Sequence, residues 1–359
     1  MKNIAMVVCF FLIITYSSVT NAYATEPNNE LEDFVKAHVQ KMINEIPNAG
    51  WTADTKIYKI RPTFNADVKQ NGYIISLITD GFESGYIQIG CKENKMKIIS
   101  FAFEGAHPTD FIEDIIYYLG NMNYAYQLDD NQYGLIGKRD IRLSADELKK
   151  MEVKTEADES TYDLLYPVQR DVHTLVPNFD SSVMVIMNDF ISEYDNHCGP
   201  TAATSLIKYL GICRNMGTLV RKNGLVMDDE EIFSELFTLM ESSIEHGTTD
   251  SKIAPGLEKY MRIRSVYPSR LYYSKRELNL ESYKVGINDG IPLIINLYDP
   301  NVEGNEWDFI LHPEKYSNHT VLGVGYVGTM AIIMNGYQRT PVYVSFDEFY
   351  MFGYYELAF

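Results

Sequence analysis

Apolar side chains at Leu31, Phe34, Val35, Val39, Met42 and Ile43 recur every three or four residues, so the chain from Glu30 to Ile46 is predicted to form one helix with a single apolar face. After it the period shortens. Runs at Lys56–Arg61, Gly72–Thr79, Gly85–Cys91 and Met96–Phe103 are divided by turn sequences, among them Lys69-Gln70-Asn71-Gly72, Asp80-Gly81 and Lys92-Glu93-Asn94. That alternation predicts a meander of strands. The stretch Asp110–Leu119 is predicted to return to helix, which makes the first part of the chain a small α+β unit.

From 139 to 165 the pattern lapses. Lys149, Lys150, Glu152, Lys154, Glu156, Asp158 and Glu159 leave few large apolar groups to bury, and the segment is predicted to be an exposed linker. Beyond Val176-Pro177-Asn178 helical spacing comes first: an amphipathic helix starting at Cys198, then Asp228–Glu245 with Ile232, Phe233 and Leu236, then Ala254–Met261 with Leu257 and Tyr260. Gly247-Thr248-Thr249-Asp250 reads as a helix stop followed by a cap. Strand-like runs follow at Ile291–Leu297, Thr320–Val327, Ala331–Met334, Val342–Ser345 and Tyr354–Leu357. No internal repeat competes with this order of helices and then strands.

The first residues read differently. Lys2 precedes an uncharged apolar run from Ile4 to Tyr16, and Ala22-Tyr23-Ala24 has the small-x-small form of a cleavage site. Residues 1–24 are therefore expected to be a signal peptide and the protein to be secreted or held at the cell surface. A retained anchor is the alternative, although the run is short for a bilayer and no stable membrane insertion is expected. The expected boundaries are 1–24 for the signal, 25–165 for the first domain with the charged linker at its end, and 166–359 for the second domain.

Composition narrows the partners. With 359 residues, 46% of them apolar, the chain can build two cores. Lys and Arg total 31 against 49 Asp and Glu, a formal charge of −18, which argues against a nucleic-acid partner. Once Cys9 leaves with the signal, Cys91, Cys198 and Cys213 remain, and an odd number does not build a disulfide framework. Cys91 and Cys213 read as buried small residues. The seven histidines are dispersed without metal-ligand spacing, so no metal or other cofactor is expected.

Cys198 stands apart from the other thiols. In Asn196-His197-Cys198-Gly199-Pro200-Thr201-Ala202-Ala203 it marks the point where a loop becomes a helix, and the unpaired N–H groups and positive dipole end there favour thiolate. His319 heads the run Thr320-Val321-Leu322-Gly323-Val324-Gly325-Tyr326, and a second run delivers Asn335 in Ile332-Ile333-Met334-Asn335-Gly336-Tyr337. A nucleophile, a base and a group to orient the base are what acyl transfer needs. The Cys198 N–H is a candidate oxyanion donor, and Asn196 is the nearest side-chain amide, with Asn188 as an alternative. Against this stand plainer readings: an inert cysteine, a structural histidine, a turn asparagine before glycine.

In this order the three motifs resemble the secreted bacterial papain-like cysteine peptidases of the streptopain and bacteriocin-leader-processing types, over roughly the second half of the chain. The resemblance implies a papain-like fold of class α+β. In it a helical half bearing Cys198 packs on a small antiparallel β barrel bearing His319 and Asn335, with a protein or peptide as substrate. One position departs from the pattern: where such enzymes commonly carry Gln, six residues before the cysteine, this chain has Ser192. By the same resemblance residues 25–165 are expected to be a propeptide that inhibits the cleft and is cut away between Ser160 and Pro177. A permanently attached domain is the alternative.

Three further motifs carry less. Gly323-Val324-Gly325-Tyr326-Val327-Gly328 fits the dinucleotide pattern, but a strand continues where a helix should open. Asp299-Pro300-Asn301 begins like a calcium loop whose last ligand position is Ile310. Asn318-His319-Thr320 is a glycosylation sequon whose glycan would obstruct the candidate base. Three functions are therefore in play: a secreted cysteine peptidase made as a zymogen, a cell-wall peptide amidase or acyltransferase using the same triad, or an inactive papain-like binding protein.

Overall fold

The computed structural model describes residues 29–46, 49–93, 95–120, 122–129, 131–136, 138–152, 173–190, 197–244, 247–274, 279–297, 319–348 and 351–359. The expected signal peptide, Ser192, Asn196, the Asp299 loop, Asn318 and the stretch 153–172, with most of the expected cleavage window, lie outside the described residues.

Helix α1 (Asn29–Glu45) buries Leu31, Val35, His38, Val39 and Met42, the face its spacing predicts. That face packs on a meander of β1 (Lys56–Phe64), β2 (Gln70–Thr79), β3 (Phe82–Lys92) and β4 (Lys95–Ala102), each antiparallel to the next. The helix predicted over 110–119 does not form. Buried Arg61 donates to the carbonyls of Thr109 (2.7 Å) and Ile112 (2.6 Å) and pairs with Asp110 at 3.6 Å. Together with the Ile112 N–H, which donates to the Thr109 carbonyl at 3.0 Å, these bonds hold the segment as a turn around the guanidinium. The chain continues instead as β5 (Ile116–Tyr118), all three residues buried, parallel to β1 and antiparallel to β6 (Tyr124–Asp129).

Most of residues 139–152, expected to belong to an exposed linker, are instead strand and helix. Strands β7 (Gln132–Leu135) and β8 (Lys138–Leu143) extend the sheet. Helix α2 (Ala145–Met151) then opens with a capping box: Ser144 Oγ accepts the Glu147 N–H at 3.4 Å, and the Glu147 carboxylate accepts the Ser144 N–H at 2.8 Å. Leu148 and Met151 bury against Phe64, Leu119 and Ala125 while Lys149 and Lys150 face water.

In the second half, β9 (Thr174–Leu175) leads to α3 (Cys198–Lys208), the short hairpin β10 (Arg221–Lys222) and β11 (Leu225–Val226), α4 (Asp229–Leu239), α5 (Asp250–Ile263), β12 (Arg270–Ser274) and α6 (Leu280–Asn288). Strands β13 (Leu293–Leu297), β14 (His319–Val327), β15 (Met330–Met334), β16 (Val342–Ser345) and β17 (Met351–Ala358) follow. They pair antiparallel in the order β12-β17-β13-β14-β15-β16. The glycines of β14 allow close approach and hold no nucleotide: a Cβ at Gly325 would stand 2.3 Å from the Thr174 carbonyl, and one at Gly323 would stand 2.8 Å from the Tyr283 ring.

These strands do not close into a barrel. The outer edge of β16 is taken by β4, through Tyr343 opposite Phe101 and Val344 opposite Ser100, so both halves share one sheet of 15 strands. Phe101 and Tyr343 stack at 4.7 Å and 10°, an arrangement that contributes about 0.5–1.5 kcal/mol beyond burial. One hydrophobic core runs from Leu31 and Ile87 in the first half to Ile332 and Val344 in the second.

Candidate active site

Helix α3 begins at Cys198. His197 precedes it without a side-chain cap, and Pro200, which has no N–H to leave unpaired, is tolerated in this first turn. The helix is less amphipathic than predicted: Gly199 through Ile207 are all buried, Cys198 and Lys208 at its two ends are partly so, and Lys208 pairs with Asp229 at 2.6 Å. Packing against β14, α4 and α5 holds the helix start in place. His319 is the first residue of β14, so that packing brings the thiol to the imidazole.

The thiol of Cys198 is lowered to about 7. Burial pushes it up, and this is outweighed by the hydrogen bond and the charge of His319, with the N–H and hydroxyl of Thr320 adding to them. The single hydroxyl proton of Thr320 otherwise serves Asn296 Oδ1 at 2.9 Å, and Asn296 Nδ2 donates in turn to Asp250 Oδ1 at 2.7 Å. A polar chain thus runs from the start of α5 to the sulfur.

Nε2 of His319 lies 2.8 Å from the main-chain oxygen of Asn335. A carbonyl can only accept, so Nε2 carries a proton and Nδ1 is the nitrogen left for the sulfur. Asn335, expected to orient the imidazole through its carboxamide, meets it through its main-chain oxygen. The Asn335 carboxamide shapes the turn: Oδ1 accepts the N–H groups of Tyr337 (2.9 Å) and Gln338 (3.3 Å), while buried Nδ2 has no partner among the described residues. This Asx turn aims the carbonyl at the imidazole.

Two residues not singled out from the sequence complete the surroundings. Tyr337 stacks on the His319 ring at 5.0 Å and 18°, and burial together with the nearby Cys198 charge holds its phenol well above the usual range. Thr320 faces the sulfur. Both stand inside the motifs that point to the site, one directly after the histidine and one two residues after the asparagine. His197 is committed elsewhere, with Nδ1 3.0 Å from Thr201 Oγ1 and its ring edge-on to Phe233 at 5.3 Å. For the oxyanion, the Cys198 N–H stands at the helix start, Asn196 lies outside the described residues, and Asn188 is exposed on the short turn Met187–Phe190. No group of His, Cys, Asp or Glu among the described residues is arranged to hold a metal ion.

Residues 180–356 match the Peptidase_C39 like family, a span that includes Cys198, His319 and Asn335 and begins after β9. No curated protein matches the chain. Among solved structures, a candidate C39-like peptidase from Bacillus anthracis aligns at 13% identity and a TM-score of 0.31, over 52% of this chain and 98% of that one, a likeness too distant to carry weight. The family match supports a C39-like cysteine peptidase in the second half of the chain.

Proposed function

We propose that the protein is an exported cysteine peptidase that hydrolyses peptide bonds through an acyl-enzyme on Cys198. The observation that carries this reading is the Cys198–His319 pair: a thiol lowered to about 7 at the start of a buried helix, against an imidazole whose far nitrogen is tied to a carbonyl. In the reaction Nδ1 takes the thiol proton, giving thiolate and imidazolium, and the sulfur attacks the substrate carbonyl. The Cys198 N–H faces the developing oxyanion. Nδ1–H then protonates the leaving amine, and the same nitrogen removes a proton from the water that hydrolyses the thioester. His319 is only 5% exposed, which limits screening of the ion pair.

A cell-wall amidase or acyltransferase would use the same atoms on a different acceptor. Incubating the full chain with a thiol-directed peptide electrophile, with denatured casein and with purified peptidoglycan separates the readings. Labelling at Cys198 and cleavage of casein are expected. Release of peptides from peptidoglycan alone would replace the peptidase with the amidase, and absence of labelling would leave a binding protein.

A further inference from the structure

We infer that residues 29–152 are a permanent positioning domain of this peptidase, clamping the turn 335–340 that holds His319, and not a segment shed on maturation. The inference rests on the peptidase reading of Cys198 and His319 given above. That turn is anchored from two sides. On the peptidase side Arg339 donates to the Met184 carbonyl (2.8 Å) and to Asp189 (2.6 Å), and the Met187 N–H donates to the Gly336 carbonyl (2.7 Å). On the other side Thr340 Oγ1 donates to the Glu104 carbonyl at 3.0 Å. Gln338, whose amide bonds Thr340 Oγ1 at 3.1 Å, lies against Gly105, at a backbone φ of +79°. Glu104 and Gly105 follow β4, the strand that pairs with β16, after one intervening residue, Phe103.

The clamp reaches the catalytic ring by few steps. Gln338 and Tyr337 give their N–H groups to Asn335 Oδ1, Asn335 gives its carbonyl to His319, and Tyr337 covers the imidazole face. Tyr337 also lies close enough to Tyr124 of β6 that charge on one phenol opposes ionisation of the other. The Cys198–His319 contact is already made with this domain in place. Removing the domain would uncover Phe101, Tyr343 and Val344, which are 0%, 6% and 1% exposed, and would leave β4 and β16 as unpaired apolar edges. Such edges recruit other chains and are rarely left open in native proteins. A single cut in the connecting chain would break one covalent link and leave all of these contacts.

The test begins with the full chain carrying one engineered protease site between Glu152 and His173. After complete cutting, the two pieces are expected to co-elute in gel filtration and to keep the Cys198 alkylation rate of the uncut chain. Separate elution, whether or not the shorter piece stays soluble, overturns the inference, as does a rise in alkylation on cutting. A second variant addresses positioning in the uncut chain. Thr340→Val removes the hydrogen bonds of Oγ1 to Glu104 and to the Gln338 amide, and should lower kcat about two- to ten-fold with KM unchanged and move the alkylation pH profile of Cys198 upward. Thr340→Ser should restore both. An unaltered profile in Thr340→Val overturns the clamp, whereas a full chain that neither labels nor hydrolyses overturns the peptidase reading instead.

Discussion

Each half of the molecule holds a cysteine and a buried histidine, and the two halves treat them in opposite ways. In β3 of the first half, burial pushes the Cys91 thiol up to about 11. In the second half, burial acts on Cys198 in the same direction, yet His319 brings it down to about 7. His38 and His107 in the first half are lowered to about 3, mainly by burial and further by Lys41 and Arg61 respectively. His319 is as buried as they are but meets a thiol and a carbonyl. Burial alone makes thiol and imidazole inert; burial of the two against each other makes them reactive.

Exchanging the cysteines' roles tests that contrast most severely. Cys198→Ala is expected to lower kcat by at least about 10⁴-fold with the fold unchanged, while Cys91→Ala leaves kcat as it was. Substantial activity in Cys198→Ala would move the nucleophile elsewhere. The thiols should also part in pH: iodoacetamide should modify Cys198 with a rate that rises through about pH 7, whereas Cys91 stays unreacted until far more alkaline solution. If both titrate together near the free-thiol value of about 8.5, the ion pair does not exist.

The first half's histidines should make it fail in acid. An unfolded histidine takes up its proton near pH 6.5, whereas His38 and His107 stay neutral down to about 3. Between those values the unfolded chain binds more protons. The stability these residues contribute is thus fully present above about pH 6.5 and is lost as the pH falls toward 3, by up to about 1.4 kcal/mol per pH unit for each. Urea unfolding followed by tryptophan fluorescence should show this, because Trp51 lies beside His38. His38→Phe should remove about half of the slope. An unchanged slope would mean that other groups govern acid unfolding.

Much of this contrast is legible in the sequence, and the remainder depends on contacts between distant residues. Helix α1, the meander β1–β4 and the helix start at Cys198 follow from local period and turn chemistry. In place of the helix expected over 110–119 stands a turn that Arg61, far back in the chain, holds by the carbonyls of Thr109 and Ile112. Ser144 and Glu147 do carry a readable capping box, hidden by the charge of the residues around them. The barrel becomes part of a longer sheet because Ser100 and Phe101 pair with Val344 and Tyr343 from the far end of the chain. At the site, Cys198, His319 and Asn335 are readable as types, but no pattern tells that Asn335 meets the imidazole with its backbone oxygen while its carboxamide builds the turn.

The smallest expected effect concerns how each histidine ring is held. His38 and His107 meet their aromatic neighbours edge to face, at 71° to Phe101 and 85° to Tyr86, while Tyr337 lies nearly parallel to His319 at 18°. Both imidazole nitrogens lie on the ring edge. A ring gripped by its face therefore keeps its edge for in-plane hydrogen bonds, here to the Cys198 sulfur and the Asn335 carbonyl. Tyr337→Leu removes the stack, and since such pairs contribute about 0.5–1.5 kcal/mol, kcat should fall about two- to ten-fold with little change in KM. Tyr337→Phe keeps the ring and should behave nearly as wild type. Full activity in Tyr337→Leu would show that the Asn335 carbonyl and the sulfur orient the imidazole without help, and that the parallel ring of Tyr337 contributes only to packing.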